Sequence, residues 1–239
     1  MDRLFRFSDY DVFGYLASGL ISFALYDVIF GTQFAFRQEW SISSAVSVII
    51  AGYIAGHIVS GLAALLIDRG LVRKTLGTPA DILMRPRKRE ISFFQRAVLG
   101  EFLEPLHPDL RDRLLRRAGM STAEAGRVGA GEIIFSRAWP TIKREPIPYG
   151  RADAFIKLYG FCRTVCLISS VAAVLFAIKA FSGWGAVQND ERPYLIWSVG
   201  AAIVALVMFR RYLRFFRLYS LEVFSTFADS RDTAPVLDR

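Results

Sequence analysis

The stretch AGYIAGHIVSGLAALLIDRG, from Ala51 to Gly70, places one histidine in the middle of an apolar run. A run of this length predicts a helix that crosses a membrane, because about 20 apolar residues span the hydrocarbon core. His57 would then lie about ten residues, or about 15 Å, from the inner end of that helix near Ile67. A polar side chain at this depth is costly and is often functional. The role of His57 therefore depends on the topology of the whole chain.

The composition of the chain also favours insertion into a membrane. Of its 239 residues, 53% are hydrophobic, and the mean hydropathy is +0.33. These values are too apolar for an ordinary soluble domain of this size. Two cysteines, Cys162 and Cys166, are too few for a disulfide framework. We expect an integral membrane protein whose cysteines are free thiols.

Four apolar segments approach the length of a membrane-spanning helix. They run from about Val12 to Phe30, Ala45 to Ile67, Cys162 to Phe181 and Tyr194 to Phe209. The predicted fold is all-α, a polytopic membrane protein with four transmembrane helices and a small cytoplasmic helical domain between helices two and three. The expected parts are a first transmembrane pair over 1–67, the cytoplasmic helical domain over 68–159, a second transmembrane pair with a cytoplasmic helical extension over 160–228, and a disordered tail over 229–239.

The distribution of basic residues predicts the orientation of these spans. Residues 68–159 contain eighteen Lys or Arg against eleven Asp or Glu, and more arginines follow the last span. The other two connections offer only Arg37 and Arg192. Both termini and the middle domain should therefore be cytoplasmic. Arginine far outnumbers lysine, which indicates a GC-rich genome and favours a bacterial inner membrane. The net charge of +8 is then mainly a topology signal, and nucleic acid is not the expected partner.

The middle segment has helical apolar spacing throughout. Ser121 and Glu124 form a capping-box pattern at the start of one predicted helix. The glycines of GRVGAG, Gly126 to Gly131, follow no predicted strand, so they indicate a closely packed or kinked helix rather than a dinucleotide-binding turn.

Motifs that mark catalytic sites are missing from the sequence. It contains no Walker loop, no Gly-x-Ser-x-Gly elbow, no Cys-x-x-Cys pair and no His-Glu-x-x-His. His107 lies near Glu104 and Asp109 in a polar turn, a combination that is common by chance and does not indicate a metal site. We therefore expect no enzyme activity, no metal and no cofactor.

Small residues recur at intervals of four in the first two predicted spans. They are Gly14, Ser18 and Ser22 in the first span, and Gly52, Gly56, Ser60 and Ala64 in the second. A stripe without large side chains lets another helix approach closely, either within one chain or between copies. We predict that these residues form helix contacts.

Polar side chains inside the spans are the candidates for a buried site or a pathway. They are His57, Asp27 and Lys179. We expect His57 to point toward a partner in the protein interior, with Ser18, Ser22 or Tyr53 as that partner. It would act there as a structural hydrogen-bonding group or as a group that lines a hydrated path and senses protons. Asp27 and Lys179 reach a similar height near the outer face, where they either form an ion pair or each extend to water.

Tyr159 and Arg163 share one face of the helix that leads into the third span, because they are four residues apart. One interpretation makes them interfacial anchors, with the arginine extending to water. The other makes them a relay between the cytosolic helices and the third span.

Beyond the fourth span, apolar and aromatic residues continue at intervals of three and four. We term this set the aromatic seam; it consists of Phe209, Tyr212, Leu213, Phe216, Tyr219, Val223, Phe224 and Phe227. The seam predicts a cytosolic helix that packs against the middle domain or against a neighbouring copy. Joining of protomers through the seam would make the protein a homo-oligomer.

Two classes of function fit these features; the first is the expected function and the second is the alternative. In the first, the protein is a homo-oligomeric channel-like or membrane-perturbing effector that responds to a cytosolic signal. In the second, it is a membrane anchor or scaffold that presents a basic helical domain to a cytosolic partner protein. Membrane lipids are expected partners in both.

Overall fold

The computed structural model describes residues 11–32, 39–85, 98–182 and 192–230. Across these ranges the chain is helical and contains no strand, so the all-α prediction is confirmed. The helices are α1 Ala17–Phe30, α2 Ile42–Ala63, α3 Pro79–Met84, α4 Pro108–Ala118, α5 Thr122–Ala125, α6 Ala130–Ile142, α7 Pro146–Ser182 and α8 Arg192–Asp229. The predicted disordered tail, 229–239, lies almost entirely outside the described residues.

Less regular turns extend these helices. A π-helical segment, Asp11–Leu16, leads into α1. A second π-helical segment, Ala64–Val72, continues α2 and is followed by the short α-helical piece Arg73–Thr75. A 3₁₀ turn occupies Gly100–Leu103.

Three helical stretches are long and apolar enough to cross a membrane, namely Ile42–Met84, Pro146–Phe181 and Pro193–Asp229. By length and composition they indicate a multi-pass membrane protein. The predicted first span is an apolar helix, Gly14–Phe30, that is shorter than these three. The structure therefore supports three spans on length and composition, one fewer than the four predicted.

The chain divides into two compact units. Residues 1–76 and 157–212 form one unit, which we term the apolar unit. Residues 77–156 and 213–239 form the other, the helical domain. The long helices α7 and α8 contribute residues to both units.

The core of the helical domain is closed by the last part of α8. Val223 and Phe224 are completely buried there, in one cluster with Leu83, Leu114 and Ile134. Burial of each such side chain stabilises the fold by about 1.5–3 kcal/mol. These seam residues are covered by helices of their own chain and are not available to join protomers. The prediction of a protomer-joining seam is thus corrected for this part of α8, whereas packing against the middle domain is observed.

The glycine-rich stretch of the helical domain permits a close crossing of α3 and α6. A Cβ at Gly131 would lie 2.3 Å from the carbonyl carbon and oxygen of Ala80. The Gly131 amide donates a hydrogen bond to Asp81 Oδ1 at 2.9 Å. Gly129, just before α6, has a φ of +86°, which glycine adopts without strain. Close helix packing, not a nucleotide-binding turn, therefore accounts for these glycines.

Candidate functional site

The small-residue stripes of α1 and α2 lie against each other within one chain. A Cβ at Gly56 would lie only 1.8 Å from the carbonyl oxygen of Tyr15, and a Cβ at Gly19 equally close to that of Gly52. Gly14, Ser18 and Ser60 are buried as well. Only glycine permits backbones to approach so closely, so these positions fix how α1 crosses α2.

The serines of α1 satisfy their hydroxyl groups within their own helix. Ser18 Oγ donates to the Gly14 carbonyl at 2.7 Å, and Ser22 Oγ donates to the Ser18 carbonyl at 2.9 Å. Such bonds to the preceding turn are a common way to bury a serine in a helix. Neither hydroxyl contacts His57, although both were candidate partners.

His57 lies on the surface of the single chain, not in its interior. Its ring stacks on Tyr15, with centroids 3.7 Å apart and planes 15° apart, and meets the edge of Tyr53 at 4.6 Å. This corrects the prediction of an inward-pointing histidine. Gly56 and Ser60 occupy the buried side of α2, and position 57 is turned about 100° away from Gly56 around the helix. Of the predicted partners, Tyr53 is the one that His57 contacts.

Asp27 and Lys179 have separate partners. Asp27 is buried and accepts a hydrogen bond from the Thr32 hydroxyl. The Lys179 ammonium lies 5.1 Å from the centre of the Tyr194 ring, within the range of a cation–π contact. These two charges form no ion pair with each other, so that predicted alternative is corrected.

A cluster of charged and phenolic side chains gathers at one end of the apolar unit. We term it the Asp68 cluster; its members are Asp68, Arg73, Tyr159, Arg163 and Tyr212. Tyr212 donates a hydrogen bond to Asp68 Oδ1 at 3.1 Å. Arg163 Nη1 lies 3.6 Å from Asp68 Oδ2, and Arg73 Nε lies 3.5 Å from Oδ1. One carboxylate thus connects residues from three helical segments.

Local structure explains how Asp68 reaches these partners. It lies in the π-helical segment that continues α2, and such wider turns are frequent at functional sites. Ile67 and Val72 of the same segment are buried, which turns this face of the helix into the unit. Tyr212 is completely buried on α8 and points at the same carboxylate.

Burial determines the electrostatics of the cluster. The side chains of Asp68 and Arg163 are each 10% exposed, whereas that of Arg73 is 48% exposed. Arg163 is therefore the main counter-charge, because water screens the pair with Arg73. Arg163 also lies 5.6 Å from the centre of the Tyr159 ring. The structure brings this predicted pair of residues together, and Arg163 is buried beside Asp68 instead of extending to water.

Sequence reasoning missed three members of the cluster, Asp68, Arg73 and Tyr212. Asp68 looked like a boundary residue between the second span and the middle domain, and Tyr212 was assigned only to the aromatic seam. One available signal was Arg163 itself, since a basic side chain at the end of an apolar span needs an acidic partner when it is buried. Asp68 is the acidic residue directly after the second apolar run.

The arrangement is suited to holding helices together rather than to transforming a substrate. Both carboxylate oxygens of Asp68 are engaged by protein groups.

Among the described residues, no group of three metal-binding side chains converges. His107 and Asp109 form a surface pair at 3.5 Å, and both side chains are largely exposed. No protein-family model, curated protein or solved structure matches this chain.

Proposed function

We propose that this protein is a membrane anchor that presents its helical domain to a soluble partner protein. The proposal rests on α8, which belongs to both the apolar unit and the helical domain. This helix contributes an apolar stretch long enough to cross a membrane, and its later residues Val223 and Phe224 complete the core of the helical domain. A domain whose core includes part of a membrane helix cannot leave the membrane without losing that core.

The proposed topology has four spans, with α1 as the first and both termini in the cytoplasm of a bacterial cell. Gly14–Phe30 would extend about 25 Å at 1.5 Å per residue, which approaches the thickness of the hydrocarbon core. Its backbone contacts with α2 support a position beside a spanning helix. A single cysteine at Val128, with Cys162 and Cys166 replaced by serine, tests the orientation. Labelling at Val128 by an impermeant maleimide from outside intact cells would reverse the proposed orientation.

The composition of the helical domain indicates what kind of partner it would bind. Residues 77–156 and 213–230 contain sixteen Lys or Arg against twelve Asp or Glu. Arg116, Arg127 and Arg144 are exposed. Electrostatic complementarity therefore favours a protein with an acidic surface.

A crosslinking experiment in the native host tests the anchor function. A photo-reactive amino acid at Val128, which is fully exposed, should crosslink to one soluble protein. The same group at Ile203, an exposed position in the apolar part of α8, is the matched control and should not. Deletion of the gene that encodes this protein should move the crosslinked partner from the membrane fraction to the soluble fraction. If the location of that protein is unaffected by the deletion, the anchor function is refuted.

A second candidate function is a homo-oligomeric, membrane-perturbing effector, and His57 is the observation that favours it. An imidazole exposed on a membrane helix is costly against lipid, so contact with a second copy or with water would lower that cost. The mass of the protein in nanodiscs and dye leakage from liposomes separate the candidates. A monomer, or an oligomer that never leaks, would leave the anchor as the function. A leak that survives in His57→Asn but not in His57→Leu would assign the histidine a structural role.

A further inference from the structure

We propose that the end of the apolar unit that holds the Asp68 cluster binds anionic phospholipid headgroups. The binding surface is a set of exposed basic side chains, which we term the basic belt: Arg69, Arg73, Lys74, Arg210 and Arg211. The inference rests on the membrane location of the proposed anchor and does not depend on its partner protein.

The belt is formed by two helical segments that meet at the Asp68 cluster. Arg69 and Lys74 follow α2, and Arg210 and Arg211 directly precede Tyr212 on α8. The hydrogen bond between Tyr212 and Asp68 places these two segments side by side. Within the described part of the chain, these four basic side chains make no hydrogen bond or ion pair, so their charges face the surroundings.

Exposed apolar side chains directly precede or interrupt the belt on both segments. They are Leu65, Leu66 and Leu71 on the first segment, and Leu206 and Val207 on α8, each about half exposed. A surface that changes from apolar to basic within one helical turn matches the boundary between hydrocarbon and headgroups. The position of the belt therefore fits the phosphate level of a bilayer.

The net charge at this end of the apolar unit indicates which class of lipid it binds. Residues 64–76, 157–163 and 205–212 contain seven Lys or Arg but a single acid, Asp68. That acid is buried beside Arg163 and contacts Arg73 alone among the belt residues, so it does not neutralise the other four. A net positive surface attracts lipids with a net negative charge, and each basic residue near such a surface strengthens binding about fivefold. Zwitterionic lipids offer no comparable attraction.

The experiment compares two lipids on the full-length protein. The protein in mixed micelles that contain equal amounts of phosphatidylglycerol and phosphatidylcholine is transferred to native mass spectrometry, and the bound lipids are counted. Wild-type protein should retain at least about fivefold more of the anionic lipid. The variant Arg69→Gln, Lys74→Gln, Arg210→Gln and Arg211→Gln should lose this preference. Arg73 is left intact because it also contacts Asp68.

A matched control removes the same charge from the helical domain. Arg116, Arg127, Lys143 and Arg144 are exposed there, and their simultaneous change to Gln should leave the lipid preference unchanged. A third variant that replaces Arg69, Arg210 and Arg211 by Lys should retain it. If the belt variant binds as much anionic lipid as the wild type, or if the control loses as much, the proposal is overturned.

Two measurements on the wild type keep the proposal testable even if the belt variant does not fold. The preference for the anionic lipid should weaken markedly when salt is raised from 50 to 500 mM, because the belt is exposed. Inorganic phosphate at millimolar concentration should displace little lipid, since it lacks the acyl chains that the leucines contact. A preference that is insensitive to salt, or that phosphate abolishes, contradicts a headgroup surface. Neither result depends on the crosslinked partner, so this proposal and the anchor function fail independently.

Discussion

The hydroxyl of Tyr212 donates a hydrogen bond to the carboxylate of Asp68 at 3.1 Å, although the two residues are 144 positions apart in the chain. The same carboxylate is the counter-charge of the buried Arg163 on a third helical segment. A buried charge strongly destabilises the folded protein when its partner is removed. When both are present, the charges of Asp68 and Arg163 compensate each other. The Asp68 cluster therefore specifies how the three segments pair at this end of the apolar unit.

Replacement of Asp68 by leucine should destabilise the protein strongly. Arg163 would remain buried without its counter-charge, and loss of one partner of a buried pair costs about 3–5 kcal/mol. The double variant Asp68→Leu, Arg163→Met should recover much of this loss, because no uncompensated charge remains. The free energy of unfolding measured by SDS titration in bicelles checks both changes.

Arg73→Gln is the matched control for this pair. The Arg73 side chain is 48% exposed, so its removal should change the free energy of unfolding by no more than about 1 kcal/mol. A loss for Arg73→Gln as large as that for Asp68→Leu would show that the exposed pair, not the buried one, holds the cluster.

Gly56→Ala should disrupt the crossing of α1 and α2. The added methyl group would lie 1.8 Å from the Tyr15 carbonyl oxygen, so the helices must separate, and such overpacking costs about 1–3 kcal/mol. Gly61→Ala on the same helix is the control, because nothing lies within 4 Å of its Cβ position. Thermal unfolding in detergent can be monitored by the reaction of a thiol-specific dye with the buried Cys162 and Cys166. Of the two variants, Gly56→Ala alone should show a lower midpoint temperature of unfolding than the wild type. Equal midpoints would contradict this helix contact.

Gly131→Ala should loosen the helical domain. The new methyl group would lie 2.3 Å from the Ala80 backbone, and the hydrogen bond from Gly131 to Asp81 would be strained as α3 and α6 move apart. We expect a loss of about 1–3 kcal/mol, seen as faster hydrogen exchange in residues 79–84 and 130–142. Gly150→Ala on α7 has open space around it and should exchange like the wild type. Unchanged exchange in Gly131→Ala would rule out this close crossing.

The stability of the turn before α5 should decrease at acid pH. Ser121 donates to Glu124 Oε2 through both its amide and its hydroxyl at 2.8 Å, and these bonds hold the pKa of Glu124 below its ordinary value of 4.5. A depressed carboxyl pKa means that the stabilisation is fully present above pH 4.5 and is lost as the pH falls through the lower folded value. The protection of amides 121–125 against exchange, taken relative to the intrinsic exchange rate at each pH, should therefore fall only below pH 4.5.

Two variants check the assignment of this transition. Glu124→Gln should exchange faster than the wild type at neutral pH and should show no acid transition of its own. Glu132→Gln, in the first turn of α6, should keep the wild-type transition. Persistence of the transition in Glu124→Gln would assign it to another carboxyl group.

Signals that act within one or two helical turns were sufficient for much of the fold. The apolar runs predicted the long helices, although α1 is shorter than a typical span. The capping box at Ser121 and Glu124 is present, and Gly119 ends α4 in a left-handed conformation, as its position after a helical run predicts. These features depend on residues three or four positions apart, so the chain specifies them before any helix meets another.

The sequence by itself determined the all-helical class, the apolar runs and the local signals at Ser121 and Gly119 that begin or end single helices. Only the tertiary structure decided which sides of these helices meet. The pairing of Asp68 with Arg163 and Tyr212, the outward position of His57 and the burial of Val223 and Phe224 in the helical domain all depend on how each helix is rotated about its axis. A rotation of about 100° separates neighbouring residues on a helix, and an apolar stripe does not state which partner it will cover. Packing against the rest of the chain resolves that choice, because it places Asp68 beside Arg163 and covers Val223 and Phe224 with helices of the same chain.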